Sequence, residues 1–309
     1  MSTAGLITTG SLPKLLWPGL QEIFGVGYKK HDKTYPLLFN TVVSDKNYEE
    51  YVGITGFGPA QLKPQGTSLS YDSQQQGYIT RLVNATYALG YIVSYEEIED
   101  LQYKKIAEGR ANSLSFSMLQ AKEINLHLIY NRATTAGYVG GDGVVLASTA
   151  HPNVSGGTFA NTPVTPADLS EASLEDGLIA IAGFQDDKGL FINAKARSLV
   201  VPRQEWYNAM RITKSVYQPG TANNDINAHK AVGAIPEGVI QSVYLTAPHT
   251  WFLRTDAGGD GHGMIFQQRE APRMFSDNDF DTFNFKAGAM ERYIGGWDDP
   301  RGIWVNPGP

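Results

Sequence analysis

The chain has 309 residues, a formal net charge of −6 and no cysteine. Disulfides and thiolate-based metal or catalytic centres are therefore excluded. No run of Lys or Arg exceeds two residues, so the basic stripe that grips nucleic-acid phosphates is missing. Charged residues make up 18%, against 11% aromatics and 33 glycines. Interface cores are poor in charge and rich in Tyr, Trp and Phe, so this composition leans toward a chain that covers much of its surface with partners.

Residues 1–50 read as extended. Pro13, Pro18, Gly19, Gly25, Gly27 and Pro36 punctuate short apolar pieces such as Leu15-Leu16-Trp17 and Leu37-Leu38-Phe39. These pieces are too short to form a core among themselves and need another surface to lie on. The N-terminus carries only Lys14 as a cation, and two prolines interrupt its apolar stretch. It reads as neither a secretory signal nor a membrane span, so a soluble protein assembled in cytoplasm is expected. Residues 51–82 read as a long β-ribbon, opened by Gly53, Gly56, Gly58 and Pro59, with Pro64-Gln65-Gly66 supplying a turn. Its few large aliphatic residues give it little to bury against its own domain, so it is expected to project.

Ser94 and Glu97 form a capping-box pattern, and Glu96, Glu99 and Asp100 favour the positive end of a helix. A long helix is expected from there to about Thr135, with a break or kink near Glu108-Gly109-Arg110. Leu114, Met118, Ala121, Asn125 and Leu128 form its apolar stripe. Forty or so helical residues would span about 60 Å, the spine of an elongated molecule.

After a glycine-rich hinge at Tyr138–Gly143, the stretch to about 275 reads as a separate α/β domain. Thr165, Pro166 and Asp168 predict a helix start, with Leu174, Leu178, Ile181 and Ala182 as its apolar face. Ser198–Val201 is a buried-strand pattern ended by Pro202. Glu205–Ser215 is a second helix carrying Trp206 and Met210 on one side, and 217–230 a polar loop. Val239–Leu245, Thr250–Arg254 and Met264–Gln268 are short strands. Phe283 and Phe285 alternate with Asn284 and Lys286 as a half-buried strand, and Trp297–Trp304 is aromatic and glycine-rich.

No nucleotide-binding, zinc-protease or nucleophile-elbow motif occurs. Asp277, Asp279 and Asp281 mimic the start of a calcium loop, but Thr282 and Gly288 stand where Gly and Glu are needed. They read as an acidic loop leading into a strand. Asp256, Asp260, His262 and His249 could suggest a metal, but their glycine-rich setting fixes no ligand geometry. His127 and His151 read as hydrogen-bonded structural residues. No catalytic residue, cofactor or metal is assigned, and the chain is expected to be no enzyme.

The order of arm, ribbon, long helix, inserted α/β domain and closing strand resembles the Hong Kong 97-like fold of tailed-phage major capsid proteins, an α+β fold. Within it, the chain is most similar to the Mu-like major head subunits. The stretches that carry this are Ser11-Leu12-Pro13-Lys14 through Phe24-Gly25, Tyr48 to Gly58, and Tyr87-Ala88-Leu89-Gly90-Tyr91 entering the helix at Ser94. Leu199-Val200-Val201-Pro202 followed by Trp206, and Glu291-Arg292-Tyr293 through Asp299-Pro300-Arg301-Gly302-Ile303, complete the set.

The resemblance implies an N-terminal arm at 1–50 and an extended loop at 51–82. It implies a peripheral domain from 83–136 with 276–309, and an axial domain at 137–275. Pro64, Gln65, Gly66, Leu69 and Tyr71, with Trp17 of the arm, would touch neighbouring subunits. The partners implied are copies of the chain in hexamers and pentamers, a scaffolding protein, a portal and decoration proteins. The shell would enclose double-stranded DNA without sequence-specific binding and with no membrane, in a virion assembled in the host bacterial cytoplasm. Because the arm begins near Met1, the expectation is a separate scaffolding protein, or a chain numbered from a form that never carried a scaffolding segment. An acidic lumen would avoid trapping the genome. An encapsulin-like nanocompartment shares this fold, and a two-domain ligand-binding protein or hydrolase would need a convergent polar site.

Overall fold

The computed structural model describes the backbone of residues 12–99, 103–218, 225–258 and 262–309; within these, the side chains of 12–20, 98–99 and 103–107 are not described. The first half of the chain runs α1 (Leu12–Lys30), α2 (Tyr35–Leu38), β1 (Asn40–Val43), β2 (Tyr48–Ile54), β3 (Gln76–Val83), β4 (Ala85–Val93), α3 (Tyr95–Glu99) and α4 (Tyr103–Asn131). Next come β5 (His151–Pro152), β6 (Thr158–Phe159), α5 (Glu171–Ala182), β7 (Ala196–Pro202), α6 (Trp206–Lys214) and α7 (Ala228–Val232). The chain closes with β8 (Val239–Ser242), β9 (Trp251–Thr255), β10 (Met264–Asn278), β11 (Phe285–Trp297) and β12 (Ile303–Asn306). Two compact units result, the first from residues 1–33, 84–125 and 268–294, the second from 34–83, 126–267 and 295–309.

The first unit corrects the extended reading of the chain's beginning, because α1 is helical from Leu12 through Lys30. Tertiary packing overrides the glycines: Phe24 and Tyr28 are buried, and Gly27 lies close against α4, where a Cβ would stand 2.6 Å from the Ser115 hydroxyl. The Ser94 hydroxyl accepts from the Glu97 amide at 3.3 Å, the half of the predicted capping box that Ser94 supplies, while the Glu97 carboxylate turns to Arg110. No break occurs at Gly109, since α4 passes through it without interruption. Arg110 instead makes a two-pronged ion pair with Glu97, at 2.7 and 3.1 Å. At 29 residues α4 spans about 44 Å, and it ends at Asn131, short of Thr135.

The apolar stripe of α4 is also wider than predicted. Ala111, Leu114, Ser115, Met118, Leu119, Lys122 and Glu123 are buried at helical three- and four-residue steps, while Ala121 and Asn125 are only half-buried. β11 pairs antiparallel with β4, Phe285 opposite Val93 through Tyr293 opposite Ala85. Phe285 is buried as expected, but Phe283 is exposed in a left-handed turn conformation outside the strand. β10 is far longer than the predicted Met264–Gln268 strand.

In the second unit, the fully buried strand β9 lies between β7 and β12, and the sheet order is β12-β9-β7-β8. Trp251, Leu253, Leu199, Val201 and Trp304 form its core with Leu174 and Ile181 of α5 and Ala209 and Ile212 of α6. The buried-strand reading of Ser198–Val201 holds. The helix expected from Thr165 begins only at Glu171, capped by Ser170 and Ser173. The backbone at Ala167 is committed elsewhere, its amide donating to Asn306 and its carbonyl accepting from the Trp251 indole. Ala182, expected on the apolar face, is exposed.

The short apolar piece at 35–39 finds its surface within this unit. Tyr35 packs on Phe266 and Phe39 on Tyr130, whose buried hydroxyl donates to the Leu38 carbonyl at 2.9 Å. Burial pushes the Tyr130 phenol pKa up. The stretch expected as a hinge is a hydrogen-bonded turn, in which the Gly140 amide donates to the Val144 carbonyl at 2.9 Å. A Cβ at Gly141 would stand 2.7 Å from the Ile79 carbonyl oxygen of β3. Only glycine lets the two backbones approach so closely.

Candidate assembly surfaces

The ribbon is built from β2 and β3, paired antiparallel from Tyr48 opposite Val83 to Ile54 opposite Gln76. Pairing ends there, so residues 55–75 carry no strand and the ribbon reading holds for its base alone. The tip is tied internally. The Thr55 amide donates to the Gln75 carbonyl at 3.0 Å, and the Gly58 amide to Asp72 Oδ2 at 2.7 Å. That amide bond, with Ser73 and Lys188, holds the Asp72 carboxyl below its ordinary pKa. Pro64, Gln65, Gly66 and Thr67 make a turn closed by the Thr67 amide on the Pro64 carbonyl, with Gly66 at a φ of +83°. That conformation at the third residue of a turn favours glycine.

Every residue from 59 to 76 is exposed. Leu62 and Tyr71 are 93% and 91% exposed and Leu69 is 61% exposed, so apolar groups stand on a segment with no core beneath it. Pro64, Gln65, Gly66, Leu69 and Tyr71 are thus brought together on one exposed tip. Trp17 lies on α1, and its side chain falls outside the described residues. Further exposed apolar side chains include Phe280 and Phe283 at the β10–β11 turn, and Tyr207 and Val232. Surface of this kind marks contact with partners.

Polar clusters resolve into internal partnerships. At the ribbon base lies an open cleft of about 460 Å³, lined by Asp142, His151, Asp187, Asp298, Asp299 and Arg301 among others. His151 Nδ1 pairs with Asp142 at 2.6 Å, and Asp187 with Arg301 at 2.9 Å. His262 pairs with Asp298, which also accepts from the Gly263 amide at 2.6 Å. These carboxylates hold loops in place, and none of these contacts pairs a hydroxyl nucleophile with a base. The residues around His249 and His262 that sequence singled out have partners of their own. His249 pairs with Glu205 at 3.2 Å, Asp256 accepts from the Lys195 amide, and Asp260 lies outside the described residues. Asp279 is spent on Lys286 at 2.6 Å within the β10–β11 turn. His127 is buried beside Tyr130 and Tyr244.

Sequence reasoning missed a buried ion pair in the first unit. Lys122 Nζ lies 2.6 Å from Glu291 Oε2, with the two side chains 1% and 0% exposed. The Tyr28 hydroxyl donates to the same oxygen at 3.3 Å, tying α1, α4 and β11 together. Burial lowers the Lys122 pKa and raises that of Glu291, and each partner opposes the other's shift. The signal was present: Lys122 follows Met118 by four residues on the apolar stripe.

Residues 80–306 match the family model described as "Phage capsid protein", more than half of the chain. The chain belongs to that family. No curated protein gave a significant match. Among solved structures, the capsid of an empty GTA particle aligns at TM-score 0.56 and 14% identity, covering 88% of each chain. A virus-like particle from Pyrococcus furiosus aligns at TM-score 0.53 and 10% identity, covering 93% of this chain and 97% of the other. The procapsid of bacteriophage JBD30 aligns at TM-score 0.51 and 14% identity, covering 96% and 75%. At such identities the likeness shows the fold, and the fold is the Hong Kong 97-like α+β capsid fold. This phage capsid protein is therefore a structural one, and its exposed ribbon belongs to a subunit of a larger assembly.

Proposed function

We propose that this chain is a major head subunit of the Mu-like kind, building an icosahedral shell of hexamers and pentamers around phage double-stranded DNA. Residues 1–50 serve as the arm and 51–82 as the extended loop. Residues 83–136 with 276–309 form the peripheral domain and 137–275 the axial domain. In this reading Pro64, Gln65, Gly66, Leu69 and Tyr71 lie on an adjacent subunit, with Trp17 as a second contact. A scaffolding protein, a portal and decoration proteins complete the head, which is assembled in the host cytoplasm and catalyses nothing. The observation that carries this reading is the family match together with a ribbon tip whose apolar residues have nothing of their own chain to cover.

The test is expression with and without a scaffold, followed by sedimentation and negative-stain imaging. Particles of megadalton mass holding nucleic acid in the infected cell are expected. A stable 33.7 kDa monomer under assembly conditions would overturn the proposal. A nanocompartment shell is the second reading, prompted by the fold shared with the Pyrococcus particle. Shells that package a protein cargo and exclude DNA would favour it.

A further inference from the structure

Glu171 and Glu175 stand four residues apart on α5, which places both carboxylates on one face. His229 of α7 meets them. One carboxylate oxygen from each glutamate and one ring nitrogen lie within 4.8 Å of one another. The backbone under His229 is fixed by Asn227, whose side chain caps α7 by accepting from the Lys230 amide at 3.2 Å. The His229 side chain is 4% exposed, yet its buried Nε2 has no hydrogen-bond partner. Glu175 Oε1 is 3.9 Å from it, beyond hydrogen-bonding reach. Buried polar nitrogens are almost always satisfied, and one left 3.9 Å from a carboxylate, in a cluster with a second, calls for a partner there.

We propose that Glu171, Glu175 and His229 bind a divalent transition-metal ion, with Zn²⁺ the best match. One imidazole and two carboxylates suit zinc, whereas Mg²⁺ and Ca²⁺ prefer all-oxygen sites. Bond lengths of about 2.0–2.2 Å require the three donor atoms to close slightly toward the ion. Glu175, whose side chain is 49% exposed, has room to make that adjustment. Gln218 Nε2 donates to Glu171 Oε2 at 3.2 Å and orients that carboxylate, as neighbours of metal ligands commonly do. Water completes the coordination. The ion clips α5 to α7, stabilising this part of the folded subunit by mass action.

The test uses full-length protein freed of metal by a chelator, titrated calorimetrically with zinc chloride and, separately, magnesium chloride. Saturable binding of one Zn²⁺ per chain, a higher Tm with zinc and no response to magnesium are expected. Cobalt chloride should give a visible absorption band on binding. Glu175→Gln, at a half-exposed position, should fold normally, assemble normally and bind zinc about tenfold or more weakly. His229→Gln should lose binding as well, and if it fails to fold, Glu175→Gln alone decides. No saturable zinc binding, or equal affinity in Glu175→Gln and the parent, would overturn the site. Because shell formation is read separately, loss of zinc binding is distinguishable from failure of the capsid role.

Discussion

Lys122 and Glu291 show how a single buried pair is stable only as a pair. Removing one partner strands a charge among buried rings, at a cost of about 3–5 kcal/mol, whereas replacing both by apolar residues of similar volume is often neutral. Lys122→Met should therefore destabilise the soluble subunit by about that amount in urea unfolding, and Lys122→Met with Glu291→Met should recover most of it. A single variant as stable as the parent would mean that the pair contributes nothing. Gly141 carries a second prediction. An alanine there would drive its Cβ into the Ile79 carbonyl, and because that group is backbone it has no rotamer to turn away. Gly141→Ala should cost about 1–3 kcal/mol of thermal stability, read as a lower Tm.

Among the elements, α4 and the ribbon behave in opposite ways. Leu114 and Met118 lie on the buried side of α4. Truncating either to alanine would cost about 2–5 kcal/mol, and a carboxylate without a partner costs more. Replacing both with Asp should abolish folding, seen as a lost cooperative transition, and a soluble variant that still assembles would contradict the burial of this face. The ribbon tip contributes no side chain to the core of its own subunit, since residues 59–76 are all exposed. Replacing 60–76 with a short Gly-Ser turn should leave circular dichroism and thermal unfolding of the free subunit nearly unchanged while preventing stable shells. Unfolding of that variant would assign the tip to its own core, and normal shells would deny it an interlocking role.

For the whole molecule, exposed apolar groups and a low charge content point in one direction. Val43, Leu62, Tyr71, Ile179, Val232 and Phe280 all stand largely in water in the single chain. A lone subunit that exposes such groups gains free energy by burying them against copies of itself, at roughly 25 cal/mol per Å² removed from water. Closed symmetry repeats each contact around the shell, so weak contacts add up. Purified subunit should accordingly sediment as hexamers, pentamers or shells, and the proportion in large species should rise with protein concentration. Sedimentation showing compact monomer at every concentration would contradict this.

The sequence by itself determined the class of the fold, the Ser94 cap, the buried strand at Ser198–Val201, the ribbon base and the absence of thiol chemistry. Each of these depends on contacts between near neighbours or on residue type alone. Only the tertiary structure decided that α1 is helical despite its glycines and that α4 runs through Gly109. It also decided that α5 starts six residues after Thr165, and that Lys122 meets Glu291 and His229 meets Glu171 and Glu175. The reason is physical. A glycine costs a helix about 1 kcal/mol, a penalty that burial of Phe24 and Tyr28 offsets, and only the folded chain shows that burial. Likewise a charge on an apolar stripe reads as an interruption until a partner 169 residues away in sequence is brought to 2.6 Å, as Glu291 is to Lys122 (291 − 122 = 169).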